Sequence, residues 1–181
     1  MESKATPINI ESPVINDLTK NLSETGRYQK DLSERDVAEI MGATVNGLMS
    51  TYKDQVRAQP PVFNVKIQNE QSIFNGKVKI ESPIGATLGL DLTLGVDPEK
   101  SGGLKLQNFK LDVQAGFIQK TAINALNIEG KIRDKLKDPN EALKEGLNFM
   151  LNSKGLKVGN IRAFFKTNNT LSIAVIGGKV V

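Results

Sequence analysis

The sequence predicts an α+β domain in which a long, strongly curved antiparallel sheet of about six strands wraps a long helix, preceded by an N-terminal helix. Three observations lead there. In ATLGLDLTLGVD, residues 86–97, Leu88, Leu90, Leu92, Leu94 and Val96 take every second position, with Gly89, Asp91, Thr93 and Gly95 between them. That is the period of a strand with one apolar face. Upstream, apolar residues recur at about 3.6 positions until Pro60-Pro61, where the period drops to two. After Gly116 the helical spacing returns.

Residues 1–32 are rich in Ser, Thr, Asn, Lys and Glu and predict a flexible N-terminal arm, leaving 33–181 as the single folded domain. Within the arm, Ser12-Pro13 is a good helix start, and Val14, Leu18 and Leu22 follow at i, i+4 and i+8. This short amphipathic helix would dock on the domain or on a partner. Ser33 and Asp36 are spaced as a capping box, and Val37, Ile40, Met41, Val45, Leu48 and Met49 give residues 34–56 one apolar stripe.

Four strands come next. Phe63, Val65 and Ile67 alternate with polar residues, as do Phe74, Val78 and Ile80; the leucine row is the third strand. The fourth follows the turn at 98–103 and places Leu104 and Leu106 in one parity but Phe109, Leu111 and Val113 in the other. The shift predicts a β-bulge near Gln107-Asn108. Short turns make the four an antiparallel meander, and strands longer than the usual five or six residues twist and curl.

Residues 117–137 put Phe117, Ile118, Ala122, Ala125, Ile128, Ile132 and Leu136 on one broad stripe, the helix to lie against the leucine row. Asp138-Pro139 with Glu141 restarts the helix, Leu143, Leu147, Met150 and Leu151 form its apolar side, and Gly155 is placed to end it. Two alternating runs around the turn 166–170 close the chain as a hairpin.

Composition narrows function. A chain of 181 residues with 39% hydrophobic and 24% charged residues can bury one substantial core. It has no cysteine and no histidine. Thiol chemistry, disulfides, the commonest general base and the commonest metal ligand are therefore excluded. Asp91, Asp97 and Asp112 are scattered, and neither GATLG at 85–89 nor IGGK at 176–179 ends as a phosphate loop must. The expectation is a protein without enzymatic activity, metal or cofactor. No signal-like apolar run opens the chain, and runs such as Ile173–Ile176 are too short to span a bilayer. The expected setting is cytoplasmic, or exported if a leader has been removed.

Residues 117–181 carry 11 basic and 5 acidic side chains, residues 1–116 carry 13 and 15, so the net +4 lies in the last third. A solvated helix face and a surface for anionic lipid both fit this. A nucleic-acid role would need aromatic platforms among the basic residues; the chain has 7 Phe, 2 Tyr and no Trp, mostly at core parity, Phe164 being the exception. No nucleic-acid partner is expected.

LSERDVAEI at 32–40, GLKLQNFKL at 103–111 leading to Gly116, and GLKVGNI at 155–161 with LSIAVIG at 171–177 are similar in pattern and order to the LmeA-like phospholipid-binding family, within the tubular lipid-binding class. The resemblance covers about residues 33–178. It implies a lipid or fatty acyl ligand, offers no catalytic residues, and implies an exported or anchored setting.

Two readings of the leucine row follow. In one it is the inner face of a dry, filled core, and the domain is a structural or protein-interaction module that docks through Val14, Leu18 and Leu22. In the other it walls a groove for an acyl chain. Aliphatic rather than aromatic inner faces and the length of the strands favour the groove. Its lining would be Leu88, Leu90, Leu92, Leu94, Phe109, Ile118, Ala122, Ile128 and Ile132, with Lys131, Arg133 and Lys135 drawing the domain toward anionic headgroups.

Overall fold

Short-range signals decide where each element starts. A computed structural model describes residues 12–50, 57–59, 61–82, 85–114, 116 and 127–180. Helix α1 (Pro13–Thr25) is capped by Ser12, whose Oγ accepts from the Ile15 N–H at 3.4 Å, and ends at Gly26 in the left-handed conformation. Strand β1 (Arg27–Leu32) leads into α2 (Glu34–Ser50). The expected capping box is formed there: the Asp36 N–H donates to Ser33 Oγ and the Ser33 N–H to Asp36 Oδ2, each at 3.2 Å.

Strands β2 (Arg57–Ala58) and β3 (Val62–Gln68) lie in line along the same edge of β4 (Gln71–Ser82), and β5 (Ala86–Val96) and β6 (Leu104–Gln114) complete the meander. Helices α3 (Ile128–Lys135) and α4 (Pro139–Leu151) follow, then a 3-10 turn at Asn152–Lys154. Asp138 caps α4 through the Glu141 N–H at 3.3 Å, and Gly155 ends the turn with φ +68°. The hairpin β7 (Leu156–Phe165) and β8 (Leu171–Lys179) closes the chain.

The class is α+β, with two antiparallel sheets rather than one. Five strands, β2 to β6, form the larger sheet, and β1-β8-β7 form the smaller; neither closes. The expectation of one sheet of about six strands is corrected because β8 pairs with β1, from Arg27↔Ile176 to Leu32↔Leu171, and not with the meander. Strand β1 buries only Tyr28 and Leu32 of its six residues, so its alternation is nearly silent in the sequence. The boundary at residue 33 is corrected with it. Residues 12–32 hold α1 and β1, and Val14, Ile15, Leu18 and Leu22 are at most 2% exposed. Residues 1–11 lie outside the described residues, as do 51–56 of the helix expected over 34–56 and 117–126 of that expected over 117–137.

The bulge stands where the parity shift put it. Thr93 pairs with Asn108 and Leu94 with Leu106, leaving Gln107 unpaired. Its side chain folds across Gly95, where a Cβ would lie 2.1 Å from Gln107 Nε2, and its Oε1 accepts from Gln71 Nε2 at 2.5 Å. A second bulge in β7, between Val158 and Asn160, is held by Asn148 of α4, which bonds both the Val158 N–H (2.6 Å) and its carbonyl (3.1 Å).

One apolar core runs through both sheets and the helices. Helix α2 joins them, contacting β2 and β3 of the larger sheet, β1 of the smaller, and α1 and α4. Its crossing with α4 is close enough for backbones to touch: a Cβ on Gly47 would lie 2.2 Å from the Gly146 carbonyl oxygen, and one on Gly146 2.4 Å from that of Thr44. Asn140 fixes the second joint. It donates to the Gly102 and Ile161 carbonyls, each at 2.9 Å, and accepts from the Leu104 N–H at 2.8 Å, tying α4 to the β5–β6 turn and to β7.

Candidate functional site

The inner face of the larger sheet is built by cross-strand pairs. Leu88 pairs with Val78, Leu92 with Phe74, and on the other side Leu90 with Leu111 and Leu92 with Phe109. Between this face and the helices lies a cavity of about 70 Å³. The sheet contributes Val78, Leu88, Leu90 and Leu92; α2 contributes Met41, Val45, Leu48 and Met49. Helix α3 and the residue after it contribute Lys131, Ile132, Lys135 and Leu136.

The walls differ in exposure, and that locates the mouth. Leu88, Leu90, Leu92 and Val78 are at most 2% exposed, whereas Val45, Met49, Lys131 and Lys135 are half-buried. The cavity is therefore most accessible on the side of α2 and α3, where the stems of Lys131 and Lys135 form part of its wall. Lys131 and Lys135 stand one turn apart on α3. Lys135 Nζ donates to both carboxylate oxygens of Glu145 on α4, at 2.8 and 2.9 Å.

Six of the residues expected from the sequence meet here: Leu88, Leu90, Leu92, Ile132, Lys131 and Lys135. Leu94 is buried in the core beyond the cavity. Phe109 sits half-buried on the neighbouring strand, and the Arg133 guanidinium lies 4.8 Å from its ring centroid. Arg133 also pairs with Glu129 at 3.1 Å, so it serves β6 and its own helix and is not in the cavity wall. Ile118 and Ala122 fall outside the described residues; the backbone of Ile128 opens α3, and its side chain is not among those described.

Sequence reasoning missed the whole α2 wall. The spacing of Met41, Val45, Leu48 and Met49 was visible as an apolar stripe, but no local signal says whether a stripe packs on side chains or on a void.

A polar cleft of about 350 Å³ lies at the joint between 100–104, the start of α4 and β7. Its charges answer one another: Lys100 and Asp138 are 3.5 Å apart, and Arg162 Nη2 donates to Ser101 Oγ at 2.8 Å while its guanidinium lies 5.4 Å from the centre of the Phe164 ring. Phe164, off the core parity in the sequence, is accordingly exposed.

On the far side of the core, the Tyr28 hydroxyl is buried without a hydrogen-bond partner among the described residues. Burial pushes its pKa well above the usual phenol value, and the negative charges of Asp17 and Asp36 push it further. Asp17 acts through its charge, without the geometry of a hydrogen bond.

Among the described residues, no group of three carboxylates comes together as a metal site, and no helix is long and apolar enough to cross a membrane. No protein-family model, curated protein or solved structure matches the chain.

Proposed function

We propose that this domain binds a lipid or other acyl-chain ligand without chemically changing it, the chain entering between the leucine face, α2 and α3. One observation carries the reading: an apolar cavity whose walls come from three separate elements and which opens beside two lysines. Each methylene moved from water into such a space gains about 0.8 kcal/mol, so hydrophobic contact alone can hold a chain. The half-buried residues Leu106, Phe109, Leu111 and Val113 of β6 continue the same face and give a longer chain somewhere to lie. In this reading the sheet curls over α3, and the basic side chains of α3 bring the domain to anionic membrane surfaces. The resemblance to LmeA-like phospholipid-binding proteins points the same way. A chain with neither cysteine nor histidine agrees with a binding role.

The competing interaction module needs the apolar face of α1 for a partner. Val14, Leu18 and Leu22 are at most 1% exposed in their own domain, which leaves that face no partner to take.

Native mass spectrometry of the purified chain, followed by solvent extraction, tests the proposal. Co-purifying lipid, or uptake of a fluorescent fatty acid or phospholipid, is expected. Val45→Trp, which directs an indole into the space from a half-buried position, should abolish either signal while the circular-dichroism spectrum stays unchanged. A ligand-free mass together with no uptake of any probe would reduce the leucine row to ordinary core.

A further inference from the structure

We infer that β6 is a dimerisation edge: residues 108–114 pair antiparallel with the same residues of a second copy of this chain, Leu111 lying on the two-fold axis. The inference goes beyond the lipid-binding reading and does not depend on it.

The two ends of the larger sheet are finished differently. At one end α2 lies against β2 and β3, and its Glu34 Oε2 accepts the Ile67 N–H at 3.0 Å. At the other end β6 pairs with β5 alone. Asn140 takes the Leu104 N–H, and the bulge at Gln107 bends the strand, so the first half of this edge is closed to a further strand. From Asn108 to Gln114 the ladder with β5 is regular, and among the described residues nothing bonds its outer side. A regular edge of this kind is a template for another strand.

The side chains are unfinished as well. Leu92, Leu90 and Leu88 of β5 are at most 2% exposed, whereas Phe109, Leu111 and Val113, which pair with them, are only half-buried. On the other face Lys110 and Asp112 are exposed, and neither forms an ion pair among the described residues.

Charge chooses the partner and the register. Opposed residues of an antiparallel pair share a face, so a two-fold axis across the edge must fall on a residue and not between two. Centred on Lys110 or on Asp112, the pair would set like charges directly opposite each other, which is unfavourable. Centred on Phe109 it runs into the bulge, and centred on Val113 it runs off the strand. Centred on Leu111, it sets Lys110 opposite the partner's Asp112 and Phe109 opposite the partner's Val113, each twice by symmetry. The edge is thus complementary to itself in one register, and the half-buried apolar row of each copy is covered by the other.

Sedimentation velocity of the full chain over a range of concentrations tests the inference. An interface of two short strands is at the small end for specific complexes, so a dimer with a Kd of about 10 µM is expected. Lys110→Glu and Asp112→Lys each set like charges opposite one another and should weaken it about tenfold. Mixed in equal amounts, the two variants should recover a one-to-one dimer, because each restores the opposite charge that the other lacks. Neither misfolding nor another register produces that recovery. In a chain without cysteine, Leu111→Cys should cross-link to its own copy on oxidation, because opposed Cα atoms lie about 4.5–5.5 Å apart, within disulfide reach. Gln114→Cys, which falls opposite Asn108 and far from its own copy, should not. A chain that stays monomeric up to about 500 µM would overturn the inference. So would a dimer that survives both charge variants, a mixture that stays monomeric, or a Leu111→Cys chain that fails to cross-link.

Discussion

Helix α2 packs its two sides by opposite means. Toward α4 it presents Thr44 and Gly47, and the helices approach until backbone meets backbone at Gly47 and Gly146. Toward the leucine face it presents Met41, Val45, Leu48 and Met49 and leaves a cavity of about 70 Å³. The first side has no room for one more carbon. The second has room to spare and is lined by flexible or slender aliphatic chains, two of them methionines that adapt readily to an irregular neighbour. A single 17-residue helix thus separates a sealed structural joint from a yielding wall. The contrast teaches where tight packing is a requirement of the fold and where it has been relaxed.

The sharpest way to break the comparison is to add a methyl group at the sealed joint. Gly146→Ala would set a Cβ 2.4 Å from the Thr44 carbonyl oxygen and 2.7 Å from its Cα, neither of which is a movable side-chain end. The helices must part, and a loss of about 3 kcal/mol is expected in urea denaturation. A loss within experimental error would mean that the crossing is looser than its geometry and that the two sides of α2 are alike.

Next in size is the polar half of the same joint. Asn140→Ala removes a partner from the Leu104 N–H and from the Gly102 and Ile161 carbonyls at once, the Gly102 oxygen keeping the Ala163 N–H. Losing these bonds costs about 2 kcal/mol in sum, with part of the loss recovered by water since Asn140 is only half-buried. Amide exchange should accelerate at Leu104 and Ala163, whose N–H groups depend on Asn140 and on the Gly102 carbonyl it holds. Unchanged protection at both amides would show that the turn is fixed by something other than Asn140.

The opposite sign is expected on the cavity side. Val45→Ile adds one carbon toward the empty space and keeps a β-branched residue in the helix. On delipidated protein it should stabilise by about 0.8 kcal/mol, the worth of one buried methylene. A methyl group would then destabilise one face of α2 and stabilise the other. If Val45→Ile is destabilising, the cavity wall is as rigid as the joint and the contrast collapses.

How much of this was legible depends on whether the signal was local. Ser12, Ser33 and Asp138 announce their helices because capping acts within one turn, and the bulge at Gln107 announces itself because a bulge inverts side-chain parity in the strand that holds it. The pairing of β1 with β8 joins residues nearly 150 positions apart, and a strand with two buried residues carries no trace of its partner. The candidate site divides the same way. Leu88, Leu90 and Leu92 could be read from period two, and Ile132 with its lysines from period 3.6. That Leu94 falls beyond the cavity, that Arg133 turns to Phe109, and that α2 supplies a wall are matters of how elements cross. No short stretch of sequence encodes a crossing.

The smallest expected effect is in the smaller sheet, away from the cavity. Tyr28 lies on the inner face of β1, beside Val175, and its hydroxyl is buried without a hydrogen-bond partner among the described residues. Replacing it by phenylalanine removes a polar group that makes no hydrogen bond among the described residues, so Tyr28→Phe should change stability at neutral pH by less than about 0.5 kcal/mol. High pH separates the two proteins. The folded phenol ionises above the ordinary value of 10.0 because burial, then Asp17, disfavour the phenolate. As pH rises past 10.0 the unfolded chain gives up this proton before the folded one does, so the native state binds more protons and stability falls. The contribution is fully present below the unfolded pKa and is lost progressively above it. Tyr28→Phe lacks that loss and should outlast the unaltered protein in an alkaline unfolding titration, while matching it below pH 9 to within error. If the two curves instead run parallel through the alkaline range, water reaches the phenol, and the core under the smaller sheet is less sealed than the burial of Tyr28 implies.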